Sequence, residues 1–270
     1  MKSKKGETQM MPSLFIAHGA PLIAIENNEY TKFLTQLGQT LPRPKAVVLF
    51  SAHWESNSQK VSKIDQYQTI HDFGGFDPAL YQIQYPVHGN QQITQEIEDL
   101  FNQSGVPFEI ESQRGLDHGA WIVLRLLYPD ADIPVIAMSV NPNLTPAEQY
   151  KIGKTLSVLR ANDVLIIGSG GTVHNLRAIS WANDGQVDQW ALEFDNWLAV
   201  HLNNWDLPAL FKYDSQAPSA EFAVPPYGKE HFVPIFYAMG AADDHQKANL
   251  LHRSFRYGNL SQSVWQFGEI

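Results

Sequence analysis

The stretch KAVVLFSAHW, residues 45–54, is apolar at nearly every position rather than at every other one. A strand with one face in water alternates apolar and polar side chains. A continuous β-branched run must be covered on both faces. SLFIA (13–17), IPVIAMSV (133–140) and DVLIIGSGG (163–171) read the same way. Between these runs, apolar residues recur at helical spacing. Over 28–41 they are Phe33, Leu34, Leu37 and Leu41. Over 90–105 they are Ile93, Ile97, Leu100 and Phe101, with Gly105 as the stop. Further helices are expected over 119–129, from Thr145 to near Arg160, over 188–204 and over 230–242. Thr145 can cap its helix, Pro146 suits the first helical position, and Glu148 completes a capping box. PFEIES (107–112) reads as an edge strand and SVWQFG (263–268) as a last strand. The alternation predicts an α/β fold: a single domain with a largely parallel or mixed central sheet and helices on both faces. Residues 1–11 are expected to form a flexible N-terminal tail.

Composition removes several classes of chemistry. The chain has no cysteine. Disulfides, thiolate zinc sites, iron–sulfur clusters and cysteine nucleophiles are therefore excluded, and any metal must be held by imidazole, carboxylate or water. A net charge of −9 argues against nucleic acid and anionic membrane as partners. No apolar run approaches ~18 residues, and MKSKKGETQMM lacks the apolar core of a signal peptide. The expectation is a soluble, cytoplasmic protein. The sequence gives no reading of oligomeric state.

Ten histidines carry the chemical signal. His18 closes the first strand, His53 closes the second, and His174 follows the glycine-rich end of the strand at 163–171. Parallel strands end at one edge, and ligands bind in the crevice outside it. His231, expected to open the late helix, and His118, at the start of the helix at 119–129, can join them. Imidazoles converging in a thiol-free chain suit Zn2+ or Fe2+. A histidine at a strand end can equally be a polar group satisfied at the sheet rim. His71 and His88 flank loops that could reach the same place, whereas His201, His245 and His252 are expected to be solvated or structural. GSGGTVHN lacks the lysine and spacing of a phosphate loop, and its glycines are expected to let the backbone turn beneath a ligand. Asp117, beside His118, reads as a helix cap and not as its catalytic partner.

FIAHGAP, FSAHWE, LDHGAW, IGSGGTVHNL and EHFVPIFYA together resemble the DODA-type extradiol aromatic ring-opening dioxygenases of the class III extradiol superfamily. The resemblance runs from about residue 12 to 268 and makes 12–270 a catalytic domain of that type. It implies one divalent metal ion, Fe2+ for activity or Zn2+ as bound in an isolated protein. His18, His53 and His231 match ligand positions. Where the wider superfamily has a glutamate, this chain has His231 preceded by Glu230. His174 matches a histidine at the metal that serves as a fourth ligand or as a base, and His118 matches a catalytic histidine beside it. The implied substrates are a small aromatic diol, DOPA-like, and O2. Trp54, Phe73, Phe76 and Tyr227 could wall a pocket for a flat ring. Two rival readings remain at this point: the same histidines holding Zn2+ for hydrolysis, and a non-catalytic binding protein on the same fold.

Overall fold

Most of the expected strands and helices form. A computed structural model describes residues 10–182, 184 and 186–269. In chain order the elements are β1 (Ser13–Ala17), α1 (Glu29–Thr40), β2 (Ala46–Glu55), β3 (Gln59–Ser62), α2 (Gln91–Ser104), β4 (Phe108–Glu111), α3 (His118–Leu127), β5 (Val135–Val140), α4 (Pro146–Thr155), β6 (Val164–Gly170) and α5 (Gln189–Asn203). Three helices of four residues follow, α6 (Leu207–Leu210), α7 (Tyr213–Gln216) and α8 (Ala220–Ala223), then α9 (Pro234–Gly240). The chain ends with β7 (Ala248–His252), β8 (Phe255–Arg256), β9 (Leu260–Ser261) and β10 (Val264–Phe267). Side chains of Asn28, Asn90, Asp117 and Thr145 accept from the first-turn N–H groups of α1, α2, α3 and α4. Thr145 and Glu148 form the expected capping box. Among the described residues, no helix is long and apolar enough to cross a membrane.

Eight strands make one sheet in the order β4-β3-β5-β2-β6-β1-β10-β7. The four strands β5, β2, β6 and β1 in the middle are mutually parallel, while β10, β7 and the β3–β5 pairing are antiparallel. Period-two alternation then assigns the faces. Leu14, Ile16, Val47 and Leu49 pack with Leu34 and Leu37 of α1 and with α3. Val48 and Phe50 pack on the other face with α2 and Tyr237 of α9, and Phe15 packs there with α5. Each such large side chain contributes roughly 1.5–3 kcal/mol on leaving water. Both sheet faces are dry, which is why these strands carry continuous apolar runs.

Three expectations change. The segment 230–242 is not one helix. A 3-10 turn at Lys229–His231 comes first, and α9 begins at Pro234, which has no N–H to give a preceding turn. α4 ends at Thr155 and the chain continues as a 3-10 turn, Ser157–Asn162. Gly168 and Gly170 do not turn the chain: both lie within β6. A Cβ on Gly170 would stand 2.0 Å from the His231 carbonyl oxygen, and one on Gly168 would stand 2.3 Å from that of Pro234. They let the 229–234 segment lie directly on the sheet. The expected tail falls, for residues 1–9, outside the described residues. Met11 is already buried, and its N–H donates to the Arg160 carbonyl at 3.1 Å.

Candidate metal centre

Register brings the carboxyl ends of β1, β2 and β6 level. Ile16 and Ser51 both pair with Ser169, and the His18 N–H donates to the Gly170 carbonyl at 3.1 Å. His18 therefore emerges from β1 beside the end of β6. His53 emerges from β2 two residues past its last pairing with β6. The close seat at Gly170 carries His231 over the same edge. The Nε2 atoms of His18 and His53 lie 3.1 Å apart, and those of His53 and His231 lie 3.2 Å apart. Nitrogens each bound tetrahedrally to one ion at ~2.0–2.1 Å stand about 3.3 Å from one another. Both spacings match that distance, so His53 is placed to share one divalent ion with each of its two neighbours.

Each ring is oriented by a partner at its other nitrogen. Ser169 Oγ donates to the Gly119 carbonyl at 2.5 Å, so it accepts from His18 Nδ1 at 3.1 Å. Glu230 Oε1 lies 2.9 Å from His231 Nδ1. Asp72 Oδ2 lies 3.2 Å from His53 Nδ1. A proton held on Nδ1 leaves the Nε2 lone pair free for a cation. Burial holds His18 and His231 well below the ordinary imidazole pKa, and neighbouring imidazoles, His53 first, add to the effect. His18 and His231 are thereby held in the neutral form.

Asp72 is the residue that sequence reading missed. Its Oδ1 accepts from the His118 backbone N–H at 2.8 Å and lies 3.0 Å from His118 Nδ1. One carboxylate therefore holds both His53 and His118. Burial pushes its pKa up, but contacts with His118 and then His53 more than offset this and hold it below the usual range. Asp117 does cap α3, accepting from Ala120 N at 3.1 Å, and it also accepts from Ser51 Oγ at 2.6 Å. The His118 ring centroid lies 3.9 Å from that of His53 and 5.4 Å from that of His18. His18, His53 and His118 also offer nitrogens within 4.8 Å of one another. His118 and His231 are thus both placed to act as the third donor beside His18 and His53. Gly119 permits this crowding, since a Cβ there would meet Ser51 Oγ at 2.9 Å and His53 Cδ2 at 3.0 Å. Asparagine at position 72 keeps the shape but can accept from only one of the two histidines. Asp72→Asn is expected to lower metal affinity or turnover roughly 10–100-fold, measured by metal titration and O2 uptake.

His174 stacks on His231 with centroids 3.6 Å apart and planes 8° from parallel. Imidazole lone pairs lie in the ring plane, so two rings stacked this way cannot both aim at one ion. Burial, followed by the His231 imidazole, lowers the His174 pKa well below its ordinary value. His18, His174 and His231 thus refuse protons that the unfolded chain takes up near pH 6.5. Their contribution to stability is intact above about pH 6.5 and is lost as pH falls toward the lowered folded values, at about 1.4 kcal/mol per histidine per pH unit. The melting temperature of metal-free protein is expected to fall between about pH 7 and pH 5, and less steeply in His174→Gln. A flat profile would contradict burial of these rings in the neutral form.

The imidazoles form the floor of a cavity of about 370 Å3, a size suited to a small aromatic ligand. Phe73 and Phe76 line it as expected. Trp54 does not: it is buried, with the Arg114 guanidinium 5.3 Å from its ring centre. Tyr227 faces outward, its ring covered by the Arg177 guanidinium at 3.8 Å. Leu176, Ile179 and Trp181, unremarked in the sequence, do line it. His71 and His88 are engaged elsewhere, at the carbonyls of Ile83 and Asp65, both 3.0 Å away. His201 pairs with Asp206 and His245 with Asp244. His252 lies 2.8 Å from Ser254 Oγ.

Imidazoles converging beneath a ring-sized cavity, with their outer nitrogens near other polar groups, define an α/β protein with a site that could hold a metal ion. Relatives say which kind. The family described as the catalytic LigB subunit of aromatic ring-opening dioxygenase matches residues 12–268. A Beta vulgaris protein named 4,5-DOPA dioxygenase extradiol is 39% identical over 97% of this chain and 98% of its own. One of the same name from Escherichia coli K12 is 36% identical over 96% and 95%. A crystal structure of an uncharacterised E. coli K12 protein superposes with a TM-score of 0.81 at 30% identity, covering 96% of this chain and all of that one. The chain belongs to the LigB family and is an extradiol aromatic ring-opening dioxygenase.

Proposed function

We propose that His18, His53 and His231 hold one Fe2+ and that the chain opens a catechol of DOPA-like, 3,4-dihydroxyphenyl type with O2. The observation that carries this reading is the Nε2 spacing of 3.1 and 3.2 Å about His53. The names of the relatives support the substrate type. Bound iron supplies the electron relay between catechol and O2; Zn2+ has no redox chemistry and would occupy the site without turnover.

The protein's own groups manage protons and water. His174 is a base and not a ligand in this reading, because its ring is stacked and neutral. It accepts a proton from a catechol hydroxyl laid over the floor. His118 has Nδ1 at Asp72, which leaves Nε2 as its working edge. Unprotonated at rest, that nitrogen would take up the second hydroxyl proton of the catechol and give it back to oxygen during ring opening. Phe73, whose ring meets His118 edge-on at 5.6 Å, keeps water from that nitrogen. Metal-free protein loaded anaerobically with Fe2+, given a catechol and then air, is expected to consume O2 and form a visible chromophore. The Zn2+ form should bind the metal and consume none. Hydrolysis by the zinc form, with no O2 uptake by the iron form, would overturn the proposal.

A further inference from the structure

Leu176 lines the cavity and is also 60% exposed, so it stands at the cavity mouth. Arg177 follows it on the 3-10 turn Leu176–Ala178, between the lining residues Leu176 and Ile179, and is itself exposed. The turn is well anchored. Asn175 Oδ1 accepts from the Arg177 backbone N–H and from the Tyr227 hydroxyl, both at 3.1 Å. The Asn175 amide donates to the Phe222 carbonyl at 2.9 Å, and its backbone N–H donates to Asn259 Oδ1 at 3.1 Å. The Arg177 guanidinium rests 3.8 Å from the centre of the Tyr227 ring. Contact with a ring face seats the cation and leaves its N–H donors unspent. Among the described residues Arg177 makes no ion pair, whereas Arg253 pairs with Asp195 at 2.6 Å and Arg256 with Glu26 at 2.9 Å. A catechol that turns its two oxygens toward the imidazole floor points the opposite side of its ring at the mouth. In a 3,4-dihydroxyphenyl amino acid, that side carries the carboxylate.

We propose that Arg177 determines specificity by docking the carboxylate of the catechol's side chain, so that the enzyme prefers catechols with an anionic or zwitterionic chain, DOPA among them, to those with a neutral or purely cationic one. The inference rests on the catechol reading above. A guanidinium fork matches a carboxylate in shape as well as charge, and a seated one loses little freedom on binding it. Lys229, on the turn that carries His231, is the other cation of this region without an ion pair among the described residues, and it serves as the comparison.

The test uses 4-methylcatechol, dopamine, 3-(3,4-dihydroxyphenyl)propionate and L-DOPA on the Fe2+-loaded full chain. Affinities are measured anaerobically by calorimetry, and kcat and KM by O2 uptake. Dividing each value by that for 4-methylcatechol removes differences in the amount of active protein. Arg177→Gln should lower the propionate and L-DOPA ratios roughly tenfold, through KM and not kcat, while the dopamine ratio holds or rises. Arg177→Lys should restore part of the loss. If Arg177 serves only to brace Tyr227, the dopamine ratio falls with the others or no ratio moves. Either result overturns the proposal and leaves the catechol reading standing, as does a fall produced by Lys229→Gln in place of Arg177→Gln. If none of the compounds is turned over, the catechol reading fails and the anaerobic affinities decide: a tenfold fall confined to the carboxylates in Arg177→Gln supports the docking role, and unchanged ratios overturn it.

Discussion

His53→Ala is expected to leave a folded protein that no longer retains its metal or opens a ring. His53 is the middle donor, with its Nε2 3.1 Å from that of His18 and 3.2 Å from that of His231. Without it the remaining two imidazoles, with ring centroids 5.2 Å apart, cannot close a coordination sphere alone. The loss in affinity should exceed the roughly 10–100-fold that removal of an outer-shell partner costs. Folding should survive because the ring is half-buried at the carboxyl end of β2 and not part of any of the three apolar clusters. Metal content after dialysis and far-ultraviolet circular dichroism check both halves of this prediction.

His118→Ala is expected to do the opposite. The metal stays and turnover falls on the order of 10²–10⁴-fold, the range of a lost proton donor. The backbone N–H at position 118 still reaches Asp72, so the start of α3 and the orientation of His53 persist. Metal titration should match the unsubstituted protein, while O2 uptake collapses. Equal metal loss in His53→Ala and His118→Ala would mean that His118 belongs to the ligand set.

What the sequence made legible follows from how local each cause is. His18 and His53 could be placed because continuous apolar runs identify buried strands, and parallel strands share a carboxyl edge. Thr145 and Gly105 marked helix ends through their own chemistry. His174 was placed at the same edge by the same pattern, whereas His231 and His118 gained specific roles only through family resemblance. His231 was misplaced in secondary structure, although Pro234, suited to a first helical position, signalled the break. Asp72 was not legible. It sits between β3 and α2, and its reach to His53 and His118 is fixed by long-range packing that no periodicity records. Leu176, Ile179 and Trp181 were missed for the same reason, as loop residues without a repeating pattern. Trp54 could not be assigned to pocket or core from the sequence, because an aromatic near a motif and an aromatic in the core look alike there. β3 is short and mostly polar, and β7 is short and interrupted by Asn249 and His252, so neither gives the apolar run that revealed the central strands.

The central claim is that three imidazoles from β1, β2 and the turn before α9 meet on one ion. X-ray absorption at the metal edge of protein loaded with one equivalent of Fe2+ or Zn2+ tests it directly. The predicted spectrum has three imidazole nitrogens at ~2.0–2.1 Å, with one imidazole lost in each of His18→Ala and His231→Ala if metal is retained at all. A shell dominated by carboxylate oxygen, or three imidazoles that persist after His231→Ala, would contradict it.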